Sequence, residues 1–249
     1  MRKPDNRSLL ADRTLQICAT GLLLFACSTS AQELTVTAHV IPENASKNMN
    51  AGEKSRIVVW LEPLDRNEPP LRDVPAQKLI LTQKGKKFDP HLLVVQTGSV
   101  VDFPNRDPFF HNVFSLFDGK RFDLGLYEAG TTRHVRFDRR GVCYIFCNIH
   151  PEMSAVVIVL DTPYYSVANG GSSITIPNVP AGRYELHVWD ERSLPETLSQ
   201  MTREVTLSSA QPTLGTIHIA EADLPLAHKN KYGRDYDKPA PSNPGYIPQ

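Results

Sequence analysis

The sequence predicts an all-β protein built from two successive β-sandwiches, and three observations lead there. Short runs rich in Val, Ile, Phe and Tyr recur along the chain. Gly, Pro, Asn and Asp separate them, and no long amphipathic helix interrupts the series. Closely spaced strands with turn residues between them are the pattern of a sandwich or barrel.

Taken in order, the first 31 residues read as an export signal: Arg2, Lys3, Arg7 and Arg13 precede the apolar run 15–26, and Thr29-Ser30-Ala31 supplies small residues for cleavage. The apolar run is short for a membrane span, which needs about 20 residues. The alternative is lipid attachment at Cys27, after Leu24-Phe25-Ala26. Residues 32–56 hold one alternating strand (34–40) and a polar linker. Residues 57–161 form the first sandwich, with strands expected at 56–61, 78–82, 92–96, 99–103, 111–114, 132–137, 142–146 and 155–160. Asp161-Thr162-Pro163 marks a boundary, and residues 162–220 form a smaller second sandwich with strands at 173–176, 183–189, 204–207 and 214–219. A short helix is expected within 192–203. The remainder, 221–249, is Pro-rich, charged and aperiodic, and is expected to be a flexible tail.

Charge excludes a polyanion partner. The signal carries four of the 27 basic and two of the 27 acidic residues, so the mature chain has a net charge of −2. Nucleic-acid binding needs a basic surface, and none is expected here. After the signal no stretch is long and apolar enough for a transmembrane helix.

The mature chain keeps two cysteines, Cys143 and Cys147. A pair this close in an exported chain is not a disulfide framework. The second of them opens Cys147-Asn148-Ile149-His150-Pro151-Glu152-Met153, a thiolate, an imidazole and a thioether at C-x2-H-x2-M spacing. The segment lies between two strong strands, so a tight hairpin loop turns the three side chains toward one centre. Sulfur with imidazole suits copper, and one cysteine, two histidines and a weak axial methionine describe a blue-copper site. His111, which opens a strand after the loop 104–110, is the candidate for the second histidine. Phe109 and Phe110 are placed to shield the metal. The Asn112 side chain is expected to bond the ligand loop and steady it.

These residues resemble the cupredoxins. The stretch from Gly141 to Met153, the strand after it, and Pro108-Phe109-Phe110-His111-Asn112-Val113 upstream are most similar to amicyanin, then to plastocyanin and pseudoazurin. The whole also resembles methylamine-utilisation-like plastocyanin domains. The resemblance covers residues 57–161. It implies a Greek-key sandwich that binds one copper ion per chain, cycling between Cu(II) and Cu(I). By position, the ligands are His111, Cys147, His150 and Met153. It further implies one-electron transfer in the periplasm with a redox protein as partner. The second unit resembles a carboxypeptidase regulatory-like or transthyretin-like sandwich, through Asn178-Val179-Pro180-Ala181-Gly182-Arg183-Tyr184 and Val188-Trp189. That implies no chemistry, only packing or partner contact. A copper-binding or scaffold module without electron-transfer turnover is therefore the alternative function.

Three of the four residues also have an ordinary reading. Cys147 alone would pass for a small buried hydrophobe and Met153 for a core residue. His111 would pass for a loop histidine. Their coincidence favours ligation. Cys143 shares a strand face with Ile145 and Cys147 and is read as core. The rival is a dinuclear copper centre using both cysteines, although the Cys147-to-His150 spacing is one residue short for it. A Cys143–Cys147 disulfide would span too far along an extended strand. Lys84-Gly85-Lys86-Lys87 reads as a turn, and the remaining histidines lack ligand-like company. No nucleophile triad, phosphate loop or carboxylate pair stands out, so no enzymatic reaction is expected. His150-Pro151-Glu152 does not make the helical zinc motif.

Overall fold

A computed structural model describes residues 33–43, 56–65, 79–116, 119–169, 172–222 and 228–236. The segment expected to be an export signal, 1–31 with Cys27, lies outside the described residues. In chain order the strands are β1 (Glu33–Glu43), β2 (Arg56–Pro63), β3 (Leu79–Ile80), β4 (Thr82–Gln83), β5 (Phe88–Asp89), β6 (Leu92–Gln96), β7 (Val100–Pro104) and β8 (His111–Ser115). There follow β9 (Phe122–Tyr127), β10 (Thr132–Arg136), β11 (Gly141–Cys147), β12 (Ser154–Leu160), β13 (Tyr165–Asn169), β14 (Ser173–Pro180) and β15 (Gly182–Asp190). The helix α1 (Pro195–Met201) precedes β16 (Arg203–Leu207) and β17 (Thr213–Ala220). The protein is all-β, with one short helix where it was expected.

Hydrophobic periodicity explains how the sheets stack. In β1, Leu34, Val36, Ala38 and Val40 are buried and the residues between them exposed, so this strand lies in an outer layer. In β12 every residue after Ser154 is buried. Ala155, Val157 and Val159 enter one apolar cluster, while Val156, Ile158 and Leu160 enter another. A strand buried on both faces reads as a continuous apolar run, and that is why residues 155–160 lack alternation. β2 behaves likewise, with Ile57, Val59 and Leu61 in one cluster and Val58 in another.

Three clusters follow from this. One lies between the sheet β14-β1-β17 and the sheet β13-β2-β15-β16. A second lies between the sheet β6-β12-β11-β8-β9 and the smaller sheet β10-β7-β3. A third, with Val58, Val156, Ile158, Leu160 and Trp189 buried in it, seals the two inner sheets back to back. Within the sandwich that encloses the second cluster, β10 returns beside β7 and β11 lies beside β8, a Greek-key order.

The strand pairing departs from the expected grouping of residues 57–161. β2 pairs with β13 and β15, and β1 sits between β14 and β17. Both N-terminal strands thus complete the sandwich that carries β13 to β17, and the sandwich of β3 to β12 interrupts it. Non-local pairing of this kind leaves no trace in local periodicity. β9 and β13, too polar or too short in pattern to be expected, form as partners of β8 and β2.

Trp189 is 4% exposed and forms part of the cluster that joins the two inner sheets. Trp189→Ala is expected to lower the unfolding free energy by about 3 to 5 kcal/mol. Urea denaturation followed by circular dichroism measures this, and a loss below about 1 kcal/mol would show that the joint contributes little.

Candidate metal centre

The ladder between β11 and β12 runs from Gly141↔Val159 to Phe146↔Ser154. The chain must therefore reverse between Cys147 and Met153. It does so with the N–H of Cys147 donating to the Met153 carbonyl at 3.2 Å and that of Met153 donating to the His150 carbonyl at 3.1 Å. β8 is anchored alongside through Cys147↔Val113, and the Asn148 N–H donates to the Asn112 carbonyl at 2.8 Å. This clamps the start of the loop to the strand that His111 opens.

The side chains converge accordingly. Cys147 Sγ lies 3.6 Å from His111 Nδ1 and 3.5 Å from His150 Nδ1. His111, Cys147 and His150 each offer one ligand atom, all within 4.8 Å of one another. Cys147, Met153 and His111 are 0% exposed, and Met153 shares an apolar cluster with Cys147. The structure thus brings His111, Cys147 and His150 to one point and buries Met153 at the end of the same loop. The Phe109 ring lies over both imidazoles, with centroids 5.3 Å from His111 and 5.5 Å from His150.

Burial pushes the Cys147 thiol pKa up, against the pull of backbone N–H groups of Asn112, Ile149 and His150. Those N–H groups favour the thiolate once a cation offsets the burial cost. His150 is pushed down by burial and then by the His111 and Lys86 charges, with Asp107 acting the other way. The neutral imidazole, which is the ligating form, is thereby favoured.

His111 has a partner that the sequence did not announce. Its Nε2 lies 2.9 Å from Asp107 Oδ2, both side chains being buried. A proton on Nε2 completes this bond and turns the Nδ1 lone pair toward Sγ, a carboxylate–histidine arrangement that fixes tautomer and ring. Asp107 also accepts from the Gly85 N–H at 2.6 Å and the Lys86 N–H at 3.0 Å. Burial opposes its ionisation, but these donors and His111 outweigh it, and its pKa falls below the usual carboxylate value. Gly85 and Lys86 both have positive φ, 62° and 56°, in a two-residue turn closed by mutual Lys84–Lys87 backbone bonds. The basic run is therefore a turn, as expected, and its left-handed residues hold the carboxylate. Asn105 completes the loop. Its Oδ1 accepts from the Asp107 N–H at 3.0 Å, and its Nδ2 donates to the Phe109 carbonyl at 2.8 Å.

Two expectations need correction. The Asn112 side chain donates to Asp123 Oδ1 at 2.6 Å, and it is the Asn112 backbone that bonds the ligand loop. The tail was expected to be flexible, yet residues 228–236 pack on that loop: the Tyr236 hydroxyl donates to the Cys147 carbonyl at 2.7 Å. In the same segment His228 stacks on Phe146 at 4.1 Å between centroids. Cys143 is a free buried thiol in the apolar cluster, its pKa raised by burial to about 11. It fits against Gly119, where an added Cβ would stand 2.7 Å from its sulfur.

A second group, Glu62, Glu185 and His187, also places three ligand atoms within 4.8 Å. Its charges are engaged already. Arg140 donates to Glu62 at 2.9 Å, Glu185 lies 2.9 Å from His187, and His187 stacks on Trp60. It reads as a surface charge network.

No protein-family model and no curated protein matches the chain. Solved structures resemble part of it. One is a copper-containing nitrite reductase from Thermus scotoductus, 22% identical with a TM-score of 0.32, covering 34% of this chain and 22% of that one. Another is a purple cupredoxin from Nitrosopumilus maritimus, 23% identical with a TM-score of 0.31, covering 33% of this chain and 100% of that one. A third is amicyanin from Paracoccus versutus, 23% identical with a TM-score of 0.32, covering 35% of this chain and 86% of that one.

Asp107→Asn keeps the shape of the side chain and removes its charge. In metal-free protein it is expected to cost about 2 kcal/mol, the worth of a buried hydrogen bond to a charged group. A urea midpoint at neutral pH that matches the unaltered protein would show that the carboxylate does not hold this corner.

Proposed function

We propose that this is an exported, periplasmic copper protein that holds one ion between His111, Cys147, His150 and Met153 and serves as a one-electron carrier rather than an enzyme. The observation that carries the reading is the buried Cys147 sulfur within 3.6 Å of one imidazole Nδ1 and 3.5 Å of another. The donors suit copper: one thiolate, two imidazoles and a thioether on the same loop. When bound, copper would supply a Cu(II)/Cu(I) couple.

The chain's own residues do the rest. His111 and Cys147 are placed by paired strands and His150 by the tight loop, so the donors have little freedom to rearrange when the charge at the centre changes. The Asp107 carboxylate orients His111. Phe109 and the apolar cluster beneath Cys147 keep water out. His150 is the partly exposed ligand candidate, and its neighbour Ile149 is 44% exposed while Phe110, beside His111, is 50% exposed. An apolar rim of this kind suits brief contact with a redox protein, with the electron crossing at the His150 edge.

Titration of the metal-free protein with Cu(II) is expected to give an intense visible thiolate-to-copper band at one equivalent, absent in Cys147→Ser. Asp107→Asn is expected to weaken copper affinity about 10- to 100-fold, as loss of a carboxylate behind a ligating histidine does. No such band in the unaltered protein would refute the reading. A normal band with sluggish electron self-exchange in stopped flow would favour the copper-binding scaffold instead.

A further inference from the structure

The chain beyond the second sandwich comes back to the end of β11 and the start of the ligand loop, where it engages Phe146, Cys147 and Asn148. His228 stacks on the Phe146 ring. The Tyr236 hydroxyl donates to the Cys147 carbonyl at 2.7 Å and lies 3.2 Å from His228 Nδ1. The Lys231 N–H donates to Asn148 Oδ1 at 3.0 Å. A fourth tie runs to the neighbouring strand, where Lys231 Nζ donates to Asp123 Oδ2 at 2.8 Å. Asp123 also accepts from Asn112, whose backbone carbonyl receives the Asn148 N–H, so the segment grips β9 and the loop grips β8, its paired neighbour.

The segment is shaped for this. Asn230 Oδ1 accepts from the Tyr232 and Arg234 N–H groups at 3.0 and 3.1 Å. Its backbone closes the turn with Gly233 and Arg234, and Gly233 has a φ of 72° that favours glycine. Residues 228–236 are mostly polar, and they are held by the His228–Phe146 stack together with directed bonds to the residues that position the thiol.

We propose that residues 228–236 are a working part of the metal centre, with Tyr236 a positioning residue that holds the Cys147 backbone through its carbonyl. Resting on the copper reading above, this makes copper binding and docking of the segment mutually reinforcing, because both select the same loop conformation. The segment bonds to the Cys147 main chain, Asn148 and Asp123, and it adds no ligand. It restricts where Sγ sits.

Tyr236→Phe tests this in the full-length protein, since it removes one hydroxyl and keeps the ring beside His228. Two readouts are needed. In copper-free protein, hydrogen exchange at the Cys147 and Asn148 amides is expected to rise about five-fold, the effect of losing one hydrogen bond of ordinary strength. In copper-loaded protein, copper transfer to a chelator is expected to quicken by a similar factor, with a displaced thiolate-to-copper band. A chain ending at residue 227 is expected to show larger changes of the same kind, and copper is expected to slow exchange at residues 228–236 in the unaltered protein. Equal exchange, equal copper loss and an unmoved band in Tyr236→Phe would overturn the proposal. Absence of the band from the unaltered protein removes the copper reading instead. The copper-free exchange rates then decide by themselves whether Tyr236 positions the loop, so the two readings fail separately.

Discussion

The antiparallel ladder between β11 and β12 is the constraint on which the centre depends. Because Phe146 is held opposite Ser154, the residues between them have to reverse direction in a short loop. A loop that short leaves few conformations, and the one adopted brings Cys147 and His150 side by side and buries Met153 in the cluster that holds Cys147. The ladder is in turn immobile because β12 is buried on both faces, against the cluster containing Cys143 and Cys147 on one side and against Val58 and Trp189 on the other. Apolar burial of this extent, at about 25 cal/mol per Å², is what makes a slip of register costly. A one-residue slip would exchange the two faces of β12 and carry Cys147 away from His111.

How much of this was legible in the sequence depended on distance along the chain. Local pattern singles out Cys147, His150 and Met153 by spacing and His111 by its place at the start of a strand, and the structure brings His111, Cys147 and His150 together and buries Met153 at the end of the loop. Asp107 did not declare itself, although it lies only four residues before His111. An acidic residue among Pro, Asn and Arg looks like any solvated turn, and its role appears only when Gly85 and Lys86 are seen to aim their N–H groups at it. A signal was present in the pair Lys84-Gly85-Lys86-Lys87 and Asn105-Arg106-Asp107, but nothing local says that they meet. β2 and the tail escaped for the same reason. Apolar periodicity reveals that a strand has a buried face, not which strand lies beside it.

The polar framework behind His111 and the C-terminal segment behind Cys147 divide one task. Asp107 acts on a side chain, orienting an imidazole from the far nitrogen. Tyr236 acts on a backbone, accepting no freedom in the carbonyl next to the thiol. Neither group approaches the ligand atoms from the metal's side. Each limits the motion of a donor from behind, which is how a centre is kept rigid without altering the donor set.

Burial makes that rigidity matter. An isolated thiolate in the apolar cluster is disfavoured, and the raised pKa of Cys147 expresses this. The three backbone N–H groups aimed at its sulfur go only part of the way toward stabilising a negative charge there. A cation beside the sulfur would offset that burial cost, and the thiol proton would leave as it bound. Burial acts on Cys143 in the same way, pushing its thiol up to about 11 against the pull of the Lys120 and Arg139 charges.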